Sequence, residues 1–305
     1  MRLYVAAAAV CYLVLSSQAF AASDKQIRDC TMAQRYADRV TACTEILQDN
    51  ALNKGMRSMT LAARGAALHY MGDADSAISD LTQAIALNPR NHFAYDTRAF
   101  AWREKGNLDR AIADFDNAIE YNRLSADNSG LAVSYSHRGL TWQMKGDKNR
   151  ALANYNEAIR LDPSSADFYH RRARFYIEND RLDLAVKDLD ATIQRDAEHA
   201  DAFYLRGSIR YERYTNAGAS EWVQQNDLDG ALADLTEVIR LLPGNASRAF
   251  FMRALARNVN GDKDGMVDDL IESYKIDPND KQVVAILEQV KPDYKVIAEP
   301  LNKLM

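Results

Sequence analysis

Proline and glycine are scarce, 6 and 13 among 305 residues, too few for the many tight turns of an all-β sandwich. No basic excess exists either. Lysine and arginine total 38 against 43 acids, a net charge of −5, which argues against a dedicated nucleic-acid binder. Beyond the N-terminus, no stretch approaches the roughly 20 apolar residues of a membrane-spanning helix. The chain has no Gly-rich phosphate loop, H-E-x-x-H, nucleophile elbow or paired-cysteine zinc pattern. Its five histidines lack ligand-type spacing, and its three cysteines have no histidine near enough in sequence to complete a tetrahedral set. We therefore expect no metal, no cofactor and no enzyme. A hydrolase built from scattered Ser, His and Asp has nothing in its favour. What is present is 47% hydrophobic and 27% charged residues, enough for a packed core. Richness in alanine, leucine and mixed charge points to an all-α chain.

The first 21 residues read as a secretory signal peptide. Arg2 supplies the positive start, Leu3 to Leu15 form an uncharged run of 13 residues, and Ala19-Phe20-Ala21 offers a cleavage site. A membrane anchor is the competing reading, but this run is short for a hydrocarbon layer about 30 Å thick. The expected location is periplasmic or secreted. Cleavage removes Cys11 and leaves Cys30 and Cys43 in a compartment where disulfides persist.

Self-comparison exposes a period. Asn88-Pro89, Asp162-Pro163, Leu242-Pro243 and Asp277-Pro278 each close an amphipathic segment. Units written from the pattern span 58–91, 92–125, 132–165, 166–199, 200–245 and 247–280. Small residues recur at the eighth position as Gly65, Ala99, Gly139, Ala173, Gly207 and Ala254. Three residues later stand Trp102, Trp142 and Tyr176, with Leu68, Arg210 and Arg257 departing from the aromatic rule. Alanines follow in the second half of the unit at Ala77, Ala111, Ala151, Ala185 and Ala231. This 34-residue signature resembles the tetratricopeptide-repeat (TPR) family over about residues 58–280. The resemblance implies a solenoid of helix-turn-helix pairs, each needing neighbours to bury its apolar face.

Local chemistry agrees. Gly72, Gly106, Gly146 and Gly261 sit where a first helix must end, and glycine tolerates the left-handed C-cap conformation. Asp75, Asp109, Asn149, Asp183, Asp229 and Asp264 then read as N-caps or first-turn acids. The seventh position is always arginine, and an acid or amide follows at constant spacing. The pairs are Arg64 with Asp80, Arg98 with Asp114, Arg138 with Asn154, Arg172 with Asp188, and Arg253 with Asp269. Arg206 meets Asp234 only 28 residues on, which places 12 extra residues between the helices of that unit. A row of anion-binding arginines is one reading. We favour the other, a structural ladder tying the helices of each pair, because each arginine has its own partner.

Residues 22–57 resemble a degenerate first unit, with Gln26 to Arg35 and Asp38 to Leu47 as its helices. Cys30 and Cys43 then face each other, so we expect a disulfide. Residues 281–305 supply a capping helix from Gln282 to Lys291 and a short tail. Ala126 to Leu131 reads as a lengthened turn. The insertion around Tyr214 to Asn226 is either a functional loop displaying Trp222 or a helix extension. Asn245-Ala246-Ser247 matches a glycosylation sequon, which we discount as a chance match.

The resemblance also implies a binding module whose curved inner face is lined by first helices. The inner positions point to a protein or peptide partner held by Phe93, Phe100, Leu140, Tyr204 and Tyr211, oriented by Arg103, His170 and Arg174, with Trp222 as a further candidate. Against this, Phe100 and Leu140 could simply pad neighbouring first helices. Ala62 and Ala66 occupy the first two places of the family's carboxylate clamp, which disfavours a co-chaperone. The expected role is an envelope adaptor or scaffold, or else an interaction factor acting outside the cell.

Overall fold

The computed structural model describes residues 23–125, 128–216 and 221–291, and every regular element among them is helical. The chain divides after Pro163 into two compact bodies. In the N-terminal body, α1 (Asp24–Met32) pairs with α2 (Tyr36–Leu47), and α3 (Lys54–Tyr70) with α4 (Ala74–Leu87). There α5 (His92–Glu104) pairs with α6 (Leu108–Ser125), and α7 (Asn128–Met144) with α8 (Lys148–Leu161). In the C-terminal body, α9 (Ala166–Glu178) pairs with α10 (Leu182–Arg195), and α11 (Ala200–Thr215) with α12 (Glu221–Leu241). A short 3₁₀ turn, Pro243–Asn245, leads to α13 (Ser247–Val259), α14 (Lys263–Ile276) and the closing α15 (Lys281–Val290).

Each tight turn has a conformational cause. Gly72, Gly106, Gly146 and Gly261 have φ of +83°, +74°, +86° and +85°, with open space where a Cβ would stand. The glycine is therefore required by backbone conformation and not by crowding. Between α9 and α10, Asp180 takes this role at φ +55°, in keeping with the tolerance of Asp for the left-handed region. The next residue caps the second helix: Asp147 accepts from Arg150 N at 2.9 Å and Asp262 from Gly265 N at 2.9 Å. Asp75, Asp109, Asp183 and Asp264 are thus first-turn acids, and the caps lie two residues earlier wherever a side chain caps.

The small eighth position is a matter of space. A Cβ on Gly65 would lie 2.7 Å from Cγ of Leu81, a fully buried side chain. A Cβ on Gly139 would lie 3.1 Å from the Tyr155 ring, and one on Gly207 3.1 Å from Cβ of Asp234. Gly65→Val should therefore lower stability by about 1–2 kcal/mol, overpacking outweighing the gain in helix propensity. An unchanged denaturation midpoint would show that α3 and α4 can part without loss.

The arginine ladder is present in geometry. Arg64, Arg98, Arg172, Arg206 and Arg253 each place Nε and Nη2 on the two carboxylate oxygens of Asp80, Asp114, Asp188, Asp234 and Asp269, at 2.6–3.0 Å. The acid side chains are only 3–8% exposed. Such bidentate, charge-assisted bonds fix two helices in register as well as direction. Asn154 accepts from Arg138 Nε at 2.8 Å, and that guanidinium also forms an ion pair with Asp116 at 2.5 Å.

The remaining guanidinium nitrogen reaches back to the preceding pair. Arg64 donates to Thr44 at 3.1 Å, Arg98 to Thr82 at 3.0 Å, Arg206 to Asp190 at 2.6 Å and Arg253 to Thr236 at 3.0 Å. One side chain thereby joins three helices. Arg210 and Arg257, which replace the aromatic in their units, are drawn into the same system. Arg210 donates to Asp234 at 2.8 Å and Arg257 lies 3.1 Å from Asp269. Gly230 makes room, since a Cβ there would lie 2.9 Å from the Arg210 guanidinium.

Three expectations need correction. Asp229 is neither an N-cap nor a first-turn acid but stands inside α12, which begins eight residues earlier at Glu221. Asn128 to Leu131 are not a lengthened turn but the first turn of α7, because Leu131 is buried in the core and draws its backbone into the helix. Ala126 and Asp127 lie outside the described residues. Arg35 does not belong to the first helix, which ends at Met32; it is the N-cap residue of α2. The large insertion mostly extends helices, α11 running to Thr215 and α12 spanning 21 residues from Glu221. Residues 217–220 and the side chain of Trp222 lie outside the described residues, as do residues 1–22 and 292–305.

The ends are closed differently. Cys30 and Cys43 form a disulfide with Cα atoms 4.7 Å apart, packed with Ala42 and Ile46. At the other end α15 buries Val283 and Leu287 against Ala254, Met266 and Leu270. Its remaining face is largely polar, as a terminal cap requires.

Candidate functional site: the first-helix faces

In the N-terminal body, the inner positions fall on α3, α5 and α7. Phe93 is half-buried against Leu61, Ala62 and Leu81. Phe100 is only 7% exposed, its ring 4.6 Å from that of His137 and 5.5 Å from that of Phe115. It is core packing and not an exposed anchor, because neighbouring first helices close over it. Arg103 lies over Phe100 with its guanidinium carbon 5.4 Å from the ring centroid, and its Nη1 is 3.4 Å from His137 Nδ1. Leu140 is half-buried. His69 Nδ1 lies 3.2 Å from Glu104 Oε2; burial pushes the imidazole below its ordinary range while Glu104 opposes the shift. Asp96 accepts the Ser134 hydroxyl at 2.8 Å, and Asn122 donates to that hydroxyl at 3.2 Å. This body therefore presents packed and internally paired groups.

In the C-terminal body, the inner positions fall on α9, α11 and α13. His170 Nε2 lies 2.8 Å from Asp201 Oδ2, and that hydrogen bond is the main cause holding the carboxylate below its usual range. Arg174, one turn further along α9, is exposed. Tyr204 packs against Leu235, Val238, Ala246 and Ala249, and its hydroxyl accepts from Arg248 Nε at 3.0 Å. Tyr211 is half-buried, and burial raises its phenol above the ordinary range, with Tyr214 adding to the shift. Arg248, also exposed, was missed by sequence reasoning, although it is the second residue of the last unit, the same inner position that Asp201 holds in the preceding one. Of the candidate residues, those of α9 and α11 combine exposed guanidinium with half-buried phenol faces.

Surface depressions lie elsewhere. Two line the turn edge of the N-terminal body around Gly106 and Gly146, where Lys145 is paired with Asp109 and Arg150 with Asp147. They offer no concentration of unpaired polar groups, and we attach no site to them. No helix among the described residues is long and apolar enough to cross a membrane.

Known proteins place this architecture. Tetratricopeptide-repeat family models match residues 63–129 and 154–187. The TPR repeat-containing protein MJ1428 of Methanocaldococcus jannaschii is 33% identical over 72 residues, which is 24% of this chain and 13% of that protein. Pseudomonas aeruginosa PilF superposes with a TM-score of 0.62 at 11% identity, over 78% of this chain and 100% of that one. YrrB, a TPR protein with an unusual peptide-binding site, gives 0.51 at 18% identity, over 68% of this chain and 97% of that one. At these identities the structural likeness concerns the fold. The repeating pairs, their turn glycines and the two family-model matches agree: the chain is built from tetratricopeptide repeats on the fold of that family.

Proposed function

We propose that this chain is an exported adaptor that holds a protein or peptide segment on the first-helix face of its C-terminal body. Proteins of this repeat family bind protein or peptide partners and are generally scaffolds without catalysis. The observation that carries the assignment to this body is the pairing of exposed Arg174 and Arg248 with half-buried Tyr204 and Tyr211. Arginine and tyrosine supply much of the energy at interface centres. A peptide-binding site on the structurally similar YrrB is consistent with a peptide ligand. Export is supported by the leader pattern of residues 1–21 and by the buried Cys30–Cys43 disulfide, which suits an oxidising compartment. A cell-envelope role follows from that location.

Arg174→Glu is the direct test, since an exposed side chain can be reversed in charge with little effect on folding. Partners are first captured with the mature protein from an envelope extract and identified by mass spectrometry. The variant should then bind the captured partner roughly tenfold or more weakly, with an unchanged denaturation midpoint. Wild-type affinity in the variant, together with loss of binding on deleting residues 217–220, would move the site to the insertion. N-terminal sequencing of the exported chain should begin at Ala22.

A further inference from the structure

His199 stands at the N-cap of α11, where a helix start needs an acceptor for its free N–H groups. Its Nδ1 accepts from Ala202 N at 3.2 Å. Two other first helices solve the same problem with amides that do not titrate. Asn91 accepts from Ala94 N at 3.1 Å before α5, and Asn53 from Met56 N at 2.9 Å before α3. An imidazole nitrogen can accept only while it carries no proton. A protonated His199 would present a donor to the Ala202 N–H. It would also set a cation at the positive end of the helix dipole.

The surroundings add to that opposition. The His170 ring of α9 lies 4.5 Å from the His199 ring and donates toward Asp201, so two imidazoles crowd one helix start. The other charged groups acting on His199 are Asp167 on α9, Asp196 after α10 and Asp201 on α11, all favouring the protonated form. Burial outweighs them and, with His170, pushes His199 below its ordinary range. The cap's contribution is therefore complete above the unfolded-chain value of about 6.5 and is lost as pH falls from there through the lower folded value.

We propose that His199 is a proton-operated cap, which holds the start of α11 when neutral and releases it when protonated. Release loosens the helix carrying Tyr204 and Tyr211, and with it the spacing between α9 and α11. Acidification of the medium then alters this face with no other ligand. The device belongs to the fold and stands apart from whether that face is the docking surface.

The test needs no partner. Backbone hydrogen exchange of the full mature chain is compared at about pH 7.2 and 5.4 after correction for intrinsic rates, alongside His199→Asn, which installs the acceptor used at Asn91. In the wild type, protection of residues 200–206 should fall roughly fivefold on acidification, the equivalent of a lost helix cap. In His199→Asn it should hold, and residues 92–98 should hold in both. An equal fall in both proteins, or no fall in the wild type, overturns the proposal. So does nitrogen NMR showing the His199 proton on Nδ1 at neutral pH.

Discussion

Asp234→Ala should destabilise the C-terminal body by about 3–5 kcal/mol, among the largest losses expected from any single ladder substitution. The carboxylate is 4% exposed and receives both Arg206, at 3.0 and 2.6 Å, and Arg210, at 2.8 Å. Removing it leaves two largely buried guanidinium groups without their shared counter-charge, and desolvation is then uncompensated. Arg172→Ala removes a single partner and its packed stem, leaving Asp188 at 7% side-chain exposure, so its loss should be smaller. Asp234→Asn should be milder than Asp234→Ala, because Asn154 already serves Arg138 in this way. Chemical denaturation monitored in the helical signal reads all three. A ladder of ligand-binding arginines makes the opposite forecast: Arg172→Ala would abolish partner binding at unchanged stability. That outcome would end the structural interpretation.

Removing the disulfide should cost about 2–3 kcal/mol, felt almost wholly in the first hairpin. The bridge closes a short loop, with a sequence separation of 13, and restrains the unfolded chain accordingly. Both cysteines are buried, Cys43 at 0% and Cys30 at 2%, so Cys30→Ala with Cys43→Ala keeps most of the packing and deletes the cross-link. Among the described residues, the hairpin of α1 and α2 has a stacking neighbour on one side only. Amides of residues 24–47 should therefore lose protection by roughly thirtyfold or more, while those of the C-terminal body keep theirs. Two titratable thiols per chain in natively exported protein would show that no bridge forms.

Repeat period, turn glycines and the partner of every ladder arginine were legible in the residues alone. Such features join positions a fixed number of residues apart within one hairpin, so periodicity carries them: Arg98 meets Asp114 for the same reason that Arg253 meets Asp269. The cysteine pairing was legible on the same ground. Contacts between hairpins were not. The backward reach of Arg64 to Thr44 and Arg206 to Asp190 depends on how successive pairs pack, and its spacing varies from unit to unit. Packing also decided that Phe100 is enclosed while Tyr204 keeps an accessible edge, although both stand at inner positions of a first helix. Likewise, Arg210 and Arg257 departed from the aromatic rule in sequence, and only their approach to Asp234 and Asp269 explains what replaced the ring. The stretch before Leu131 and the role of His199 belong with these. Local composition admits a turn or a helix, and a surface or a capping imidazole. Sequence by itself determined the hairpins, because their contacts are local and repeated. Tertiary structure decided which side chains stay open to a partner, because burial is set by neighbours that the period does not specify.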